Sequence, residues 1–398
     1  MSSSKSNFGN KNIRVIRATL MEMFKRETKY NESKDYYDNG ITNDYPLEIE
    51  RAITNSPTAT RATVMKTKFI AGQGVDIEDI IINAKKELKL TDLIKATGSD
   101  LSWHGGVFIH VNFAMVEGVV KPNSYDVLDY SKCRISKEDG DGNKGMILYK
   151  DFNVESTGYR NKSANVKEVK FFPFHSDTKV RLARIKSETK AEDLATGIKR
   201  YKGEVYYLNM TPRYVYALSP FDSSYNDCDT EYRIGLYTNT MCRGGFLGKT
   251  AVLTQGLDDE VSDTIVKDIK QWLGAENSSS IYHLDVESTE SLDNVLKILQ
   301  VESQFDDAMF ENTIKRIRRN ILGCANNIPE PLVFAGDGNL FGTSGTAYFE
   351  LKKFYNEQTH EERNLIERTL NLLGIEKFEI TPLSDVEVVK VEEVKKEA

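Results

Sequence analysis

Residues 43–74, NDYPLEIERAITNSPTATRATVMKTKFIAGQG, place prolines and glycines where two consecutive helices begin and end. Pro46 suits the first turn of a helix that continues through Ile53, because a proline there loses no intrahelical hydrogen bond. Pro57 opens the next helix, and Gly72 ends it. The stretch therefore predicts two helices joined by a tight Asn-Ser-Pro turn.

The first half of the chain combines helices with strands. Apolar residues recur at helical spacing between Ile13 and Tyr30, and a further helix is predicted from Asp92 to Trp103. A period of two then predicts strands at residues 107–113, 118–122, 124–130, 144–152, 166–174, 203–210 and 213–218. Residues 177–200 are charged and weakly periodic, which favours a solvated excursion from the sheet. The predicted fold class is α+β.

The second half is mainly helical. Helices are predicted at residues 225–243, 258–273, 301–325 and 344–373, and short strands at 251–255 and 280–286. The last helix is predicted as one unbroken element about 40 Å long. The residues after it could add one more strand.

Composition excludes several classes of protein. The 398 residues carry a formal net charge of -7, which argues against a protein that coats nucleic acid phosphates with Lys and Arg. No run approaches the roughly 18 apolar residues of a membrane span, and the N-terminus lacks the apolar core of a signal peptide. We expect a soluble protein made in a cytoplasm.

Cysteine and histidine spacing gives no support for a metal site or for histidine-based catalysis. The four cysteines, which we interpret as reduced packing residues, are Cys133, Cys228, Cys242 and Cys324. No CxxC or HExxH pattern occurs, and the five histidines are dispersed. No cofactor is expected.

Residues 244–250, GGFLGKT, end like a phosphate-binding loop but do not fit one. Three residues separate Gly244 from the Gly-Lys pair, where that loop has four. The loop also needs a strand before it and a helix after it. Here a predicted helix precedes and a predicted strand follows, which favours a turn at a helix end.

Two other polar stretches resemble ligand loops only in part. Asp139–Asn143 begins like a calcium loop, but Lys144 and Lys150 stand where that loop needs a glycine and an acid, so a hairpin turn is favoured. The glycine-rich residues 336–345 precede a helix and could suit an anion. They lack the strand and the acid of a dinucleotide site, and a mobile loop is favoured.

The order of these features resembles that of phage portal proteins. The resemblance begins with the helical pair of residues 43–74 and continues with Gly105-Gly106, VFIHVNF and YDVLDYSKCRIS. Downstream, SPF at residues 219–221 leads into a helix, and a strand, helix and strand follow before the next long helix. The glycine-rich segment and the last helix complete the pattern. The order carries the resemblance more than any single motif.

The resemblance implies a portal fold with an α/β wing, a helical stem, a small α/β clip and a C-terminal helical crown region. The implied parts are an N-terminal arm and helix (1–42), the wing (43–221), the first stem helix (222–244), the clip (245–298), the second stem helix (299–327), the tunnel loop (328–345) and a long wing or crown helix with a tail (346–398). The charged residues 177–200 have no counterpart in it.

Portal proteins form a ring, usually of twelve subunits, and have no catalytic site. The resemblance implies a homo-oligomer at one capsid vertex of a virion, assembled in the cytoplasm of a host bacterium, through which the genome is packaged and ejected. The implied partners are the terminase large subunit, a head-tail adaptor, the major capsid protein and scaffold. Double-stranded DNA would pass through without sequence specificity, and no membrane is involved.

Three groups of candidate site residues follow from the resemblance. The tunnel loop would contribute Gly336, Asp337, Gly338, Asn339, Leu340 and Phe341 to the channel. The clip would offer Asp258, Asp259, Glu260 and Asp263 to the motor or an adaptor. A basic run in the last turns of the predicted second stem helix comprises Lys315, Arg316, Arg318 and Arg319. Its cations either complement the helix dipole or face DNA or a neighbouring subunit.

Apolar residues in the tunnel-loop region have two interpretations. They fold back onto the stem, which we favour for Phe334 and Leu340, or they touch DNA without ionic contact. Both remain open for Phe341.

Two alternatives to a portal remain. The first is another virion ring or connector, such as a head-tail adaptor, although adaptors are generally smaller and lack the order helix, clip, helix. The second is a nucleotide-binding enzyme that uses residues 244–250. ATP binding by the purified chain would distinguish the second alternative.

Overall fold

The computed structural model describes residues 28–138, 145–150, 168–243, 249–254, 296–301, 307–334 and 346–383. Its helices are α1 (Tyr45–Asn55), α2 (Pro57–Ala71), α3 (Leu90–His104), α4 (Thr178–Thr189), α5 (Leu194–Arg200), α6 (Tyr225–Arg243), α7 (Asp307–Cys324), α8 (Glu330–Val333), α9 (Thr346–Gln358) and α10 (His360–Leu372). Short 3-10 turns lie at Tyr130–Lys132 and Pro220–Ser224.

The strands are β1 (Tyr30–Asn31), β2 (Tyr36–Tyr37), β3 (Gly74–Val75), β4 (Ile81–Asn83), β5 (Leu88–Lys89), β6 (Gly106–Val116), β7 (Val119–Leu128), β8 (Cys133–Ile135), β9 (Ile147–Tyr149), β10 (Val169–Pro173), β11 (Glu204–Asn209), β12 (Lys249–Thr254), β13 (Leu296–Val301) and β14 (Ile380–Thr381). The mixture confirms the α+β class. Most of the predicted N-terminal helix lies outside the described residues, and Tyr30, at its predicted end, belongs to β1.

The helical pair α1 and α2 forms where the prolines and glycines predict it. Ser56 caps α2, because its hydroxyl accepts a hydrogen bond from the Ala59 N–H at 3.1 Å. Gly72 ends α2 with φ 65°, and a Cβ there would overlap the carbonyl oxygen of Thr381 in β14. The glycine is therefore required both by its own backbone angle and by the neighbouring strand.

A six-stranded sheet forms the centre of the first half, in the order β7-β6-β11-β10-β9-β8. Only β10 and β11 are parallel, and the other neighbours are antiparallel. Helices α3 and α10 contribute to the core that includes β6, with Leu101, Val107, Ile109, Val111 and Ile366 among its buried residues. The two strands predicted at residues 118–122 and 124–130 are one strand, β7, opposite a register shift at Asn112 and Phe113.

The strand predicted at residues 213–218 does not form. Its amide groups bond to side chains instead of a neighbouring strand: Ala217 N–H donates to the Tyr207 hydroxyl at 2.7 Å, and Leu218 N–H donates to the Thr211 hydroxyl at 2.9 Å. A sequence that alternates apolar and polar residues looks the same whether its amide groups bond to a neighbouring strand or to side chains. The prediction was wrong for that reason.

The charged residues 177–200 leave the sheet as predicted, but they are ordered as helices and only partly solvated. They form α4 and α5, which connect the parallel strands β10 and β11 as a crossover. Glu204, fully buried at the start of β11, lies 3.4 Å from both Arg181 Nε and Arg184 Nη1. The guanidinium of Arg181 also lies over the Phe113 ring, 4.1 Å from its centroid. Two of the cations that suggested solvent exposure, Arg181 and Arg184, are therefore paired inside the fold, whereas the lysines of the stretch and Arg200 are exposed.

Two helices and two strands form a projection that we call the arm: α6, β12, β13 and α7. Strands β12 and β13 pair antiparallel, with Lys249 opposite Val301 and Thr254 opposite Leu296. The helix predicted at residues 301–325 is described from Asp307 onward as α7, and Val301 is instead the last residue of β13. The helix and strand predicted at residues 258–273 and 280–286 lie outside the described residues.

The long C-terminal helix is interrupted at Thr359, which divides it into α9 and α10. The carbonyl oxygen of Asn356 accepts hydrogen bonds from Arg363 Nη2 at 2.5 Å and from the Thr359 hydroxyl at 3.3 Å. Side chains thus take part in the hydrogen bonding at the break, which a helical period does not predict. The strand that could follow is confirmed as β14, which pairs with β3.

Candidate functional site

The base of the arm holds α6 and α7 side by side. Asn320 Nδ2 donates to Asp227 Oδ2 at 3.0 Å, so a residue early in α6 meets one late in α7. The hydroxyl of Ser223, in the 3-10 turn that precedes α6, lies 3.4 Å from Sγ of Cys324 at the end of α7. The helices therefore run antiparallel, and β12 and β13 continue that antiparallel arrangement.

A carboxylate of α6 fastens the arm to α2. Glu231 accepts hydrogen bonds from the Ser56 hydroxyl, from the Thr58 hydroxyl at 2.6 Å and from the Thr58 N–H at 3.2 Å. These groups belong to the first turn of α2, where free amides and the helix dipole favour a negative charge. Glu231 thereby fixes the direction in which α6 leaves the α1–α2 pair.

Beyond this attachment, the described side chains of the arm are not buried. None of residues 232–239 of α6 is buried, and neither is any of residues 311–316 of α7. Among them are large apolar side chains, with Tyr232 41% and Leu236 49% exposed. Burial in α7 begins at Ile317, close to the level of Glu231. The arm thus extends from the α1–α2 pair with apolar side chains in solvent.

The basic run of α7 ends before the last turn of the helix. Lys315, Arg316, Arg318 and Arg319 lie in the middle of α7, which continues to Cys324 and has no basic residue in its last turn. Complementing the helix dipole and facing DNA or a neighbouring subunit therefore both stay predictions for this run. Lys315, Arg316 and Arg319 are exposed, and Lys315 pairs with Glu311 at 2.6 Å. These three remain candidates for a contact with another molecule.

Arg318 instead stacks on Phe334 at the end of α8. Its guanidinium carbon lies 5.1 Å from the ring centroid, and that of Arg61, on α2, lies 5.2 Å from it. Such contacts between guanidinium groups and aromatic rings are favourable. Phe334 thus folds back onto α2 and α7, which confirms the role favoured for it from the sequence. We call these three residues the Phe334 clamp.

A buried polar cluster holds the turn between α7 and α8. Lys66 Nζ lies 2.9 Å from Asn326 Oδ1 and 3.3 Å from Glu362 Oε1. Asn326 Nδ2 donates to the same Glu362 oxygen at 2.6 Å and to the Gln358 carbonyl at 2.9 Å. Burial lowers the pKa of Lys66, and the charge of Glu362 opposes that shift. The cluster joins α2, α10 and the turn into one unit.

No role was predicted for these residues from the sequence. Asn326 and Asn327 follow α7 with φ 58° and 52°, and asparagine is, after glycine, the usual residue in this left-handed conformation. An Asn-Asn pair after a predicted helix was thus a usable signal for a tight turn. Lys66, Glu231 and Glu362 carried no such signal, because a buried charge and an exposed one look alike in a sequence.

Two groups of predicted site residues cannot be placed. The tunnel-loop residues 336–341 and the clip carboxylates Asp258, Asp259, Glu260 and Asp263 lie outside the described residues. The same is true of the calcium-like stretch 139–143 and of residues 244–248. The described flanks of residues 335–345 are the Phe334 clamp on one side and α9 on the other.

The chemistry of the described residues offers no formed catalytic centre. Helix α6 precedes residues 244–248 and β12 follows them, the reverse of the order in a phosphate-binding loop. Among the described side chains, no group of three or more His, Cys, Asp or Glu is placed to hold a metal ion. Burial raises the pKa of the Cys228 thiol to about 12, so this cysteine packs as an uncharged thiol. No described helix combines the length and apolar character needed to span a membrane.

Comparisons with known proteins found similarity only among solved structures. No model of a protein family matches the chain, and no curated protein matches it. A chain in the neck of a native gene transfer agent (GTA) particle computed with C12 symmetry is 14% identical, with 93% of this chain and 90% of that chain covered and a TM-score of 0.49. A chain in the virion of a native GTA particle is 14% identical, with coverages of 88% and 86% and a TM-score of 0.49.

A portal protein is also among these similar structures. An HK97-family phage portal protein from Corynebacterium diphtheriae is 12% identical, with 83% of this chain and 93% of that chain covered and a TM-score of 0.41. The solved structures similar to this chain thus include a member of the family that the sequence resembles. At such identities and TM-scores, these similarities assign no activity to the chain.

Proposed function

We propose that the chain is the subunit of a phage portal, a ring that connects head and tail at one vertex of the virion and lets the genome pass. The arm is the observation that carries this proposal. Beyond Glu231 and Ile317, none of the described side chains of its two antiparallel helices is fully buried, and Tyr232 and Leu236 are exposed. Packing of the arms of neighbouring subunits side by side would cover these side chains. When the same contact is repeated by a rotation that returns to the first subunit, the result is a closed ring.

The parts of the proposed ring follow the described elements. The sheet, α1 to α5 and the C-terminal helices form the wing and its cover, α6 and α7 form the stem, and residues 245–298 form the clip with β12 and β13 at its base. The charged residues 177–200, which had no counterpart in the family pattern, belong to the wing as the crossover between β10 and β11.

We place the channel at residues 335–345, the glycine-rich segment. The Phe334 clamp and the buried Lys66 cluster hold the chain on one side of it, and α9 holds it on the other. A segment with fixed ends and many glycines can move without disturbing its anchors. Double-stranded DNA would slide past it without sequence specificity, since an acidic chain offers few phosphate contacts.

We assign the outer partners to the clip and the wing. The clip carboxylates Asp258, Asp259, Glu260 and Asp263 would dock the terminase large subunit and later a head-tail adaptor through charge complementarity. The major capsid protein and scaffold would contact the wing. The exposed cations Lys315, Arg316 and Arg319 would face DNA or the adjacent subunit.

The assembly state of the purified full-length chain tests this function. Mass measurement at several protein concentrations and salt concentrations, together with negative-stain images, should show closed rings with a central hole. The same measurements are repeated with scaffold and capsid protein added, because ring assembly can require other virion components. A chain that stays monomeric in all of these conditions, or that forms open filaments, contradicts the proposal.

A further inference from the structure

The hairpin of β6 and β7 extends beyond the sheet and ends in an apolar tip. Strand β11 pairs with β6 only from Gly106 to Val111, whereas β6 and β7 continue to a two-residue turn. The turn residues Glu117 and Gly118 have φ of 54° and 78°, as a type I′ turn requires. The tip side chains are exposed at 38% for Met115, 44% for Val116 and 50% for Val119.

A groove of about 740 Å³ lies along β11 of the same sheet, where its lining runs from Val205 to Asn209. Its floor includes Leu208 and Asn209 at the end of β11, and its wall includes Tyr214, which is 44% exposed. Two exposed cations, Lys137 and Arg213, stand on its lining together with one carboxylate, Glu138. The groove therefore offers apolar surface and a small excess of positive charge.

The sheet register keeps the tip and the groove of one chain apart. Asn209 pairs with Gly106 and Glu204 pairs with Val111, so β6 runs from the groove end toward the tip. Val205, the β11 lining residue nearest the tip, pairs with His110, and the six steps from His110 to Val116 span about 20 Å at roughly 3.3 Å per residue. One chain cannot fill its own groove with its own tip.

We infer that the tip of one copy docks in the groove of the next copy. This inference rests on the proposed ring, to which it adds a specific contact between subunits. Met115, Val116 and Val119 would meet the apolar lining, and Glu117 would meet the cations Lys137 and Arg213. A contact that joins two different surfaces of the subunit is heterologous, the type that generates rings.

Disulfide trapping tests the contact on the full-length chain. The double variant Glu117→Cys/Arg213→Cys is made with Cys242→Ser and Cys324→Ser as background, since Cys133 and Cys228 are buried. Mild oxidation should give a ladder of cross-linked subunits on non-reducing gels, up to the full ring. Each single-cysteine variant should give no ladder beyond a dimer, because one thiol per subunit joins at most two copies.

The outcomes separate this contact from the ring itself. Rings without cross-links in the double variant overturn the docking inference and leave the ring intact. Cross-links without closed rings support the docking and contradict the proposed function. Absence of both overturns both. If residues 139–144 or 151–167 of the same chain fill the groove, no cross-link forms, and the inference fails.

A charge exchange provides a second, independent measurement. Glu117→Lys and Arg213→Glu should each raise the protein concentration needed for half assembly by about 5-fold or more, and the pair together should restore it to within about 2-fold. Glu87→Lys is the matched control, because Glu87 is also exposed with a positive φ of 56°. The contact is overturned if the single variants lose assembly and the double variant does not restore it. It is also overturned if neither single variant changes assembly.

Discussion

Asp100 lies half-buried on α3, close enough to Glu50 of α1 and to Asp129 for their charges to act on its carboxyl group. Its Oδ2 atom is buried and has no hydrogen-bond partner among the described residues. Burial raises the pKa of Asp100 to about 7, the charge of His104 opposes this shift, and Asp129 and Glu50 add to it. Between about pH 4 and pH 7 the folded chain keeps a proton that the unfolded chain has released. Stability therefore falls as the pH rises through this range.

Asp100→Asn should remove this dependence, because an amide stays neutral at every pH. Relative to the wild type, the variant should gain on the order of 2 kcal/mol between pH 4.5 and pH 8. Urea unfolding at the two pH values measures the difference. Glu78→Gln, which changes an exposed carboxylate, is the control and should show no such gain. A pH dependence equal to that of the wild type would contradict the role of Asp100.

Lys66 and Glu362 form a buried ion pair, with side chains 2% and 4% exposed. Removing one charge leaves the other buried and unpaired, so Lys66→Met and Glu362→Gln should each cost about 3–5 kcal/mol. The double variant should cost less than either single one. Urea unfolding of the wild type and the three variants gives the coupling free energy. Additive costs would show that the two charges do not stabilise each other.

At the scale of the element, the attachment of the arm depends on one carboxylate, that of Glu231 on α6, which binds the N-terminal end of α2. Glu231→Ala removes the acceptor for the first turn of α2 and should cost about 1 kcal/mol, as the loss of a helix cap does. Asp229→Ala is the control on the same helix. Its exposed pair with Arg233 contributes no more than about 0.5 kcal/mol. Thermal unfolding of both variants should rank them in this order.

Glu231→Ala should also loosen the arm without unfolding the sheet. Hydrogen exchange would show faster exchange in the described part of α6, and unchanged exchange in β6 and β11. Equal protection of α6 in the variant and the wild type would mean that Glu231 does not fasten the arm.

The helices that begin at a proline or end at a glycine were predictable from the sequence. Pro57 and Gly72 bound α2, and Gly105 follows α3 with φ 70°. The spacing of apolar residues within these helices then identifies the face that is buried. The break in the predicted C-terminal helix at Thr359 was not predictable. The side-chain hydrogen bonds found at this break involve Arg363, four residues later, and a helical spacing of apolar residues does not reveal them.

Burial of charge was the second limit on prediction. Arg181 and Arg184 are part of a charged stretch, and their partner Glu204 lies in the next strand. The pairing becomes visible only when the fold brings the segments together. The candidate site shows the same limit: Arg318 was selected as a cation for a partner, yet it stacks on Phe334 of the same chain.

At the scale of the whole molecule, the charge distribution suits a passage for DNA with a charged docking end. The net charge of -7 disfavours tight binding of phosphates. In the proposed clip, Asp259→Lys together with Glu260→Lys should leave ring assembly unchanged and reduce packaging, because the motor would meet the wrong charge. A packaging assay with purified rings and motor measures this. Normal packaging by the charge-reversed rings would remove these residues from the docking surface.

The glycine-rich segment gives the prediction on which the channel depends most. Its entry is fixed, because Phe334 lies under the guanidinium groups of Arg61 and Arg318, and its exit continues into α9. Removing residues 336–339 shortens the segment and leaves these anchors, so the variant should fold and form rings of the same mass. Such rings should package or retain DNA poorly, because the shortened segment would no longer reach the duplex. The control replaces Gly336 and Gly338 with Ala, which keeps the length and restricts the backbone. If the shortened rings package and hold a full genome as the wild type does, the segment does not line the channel.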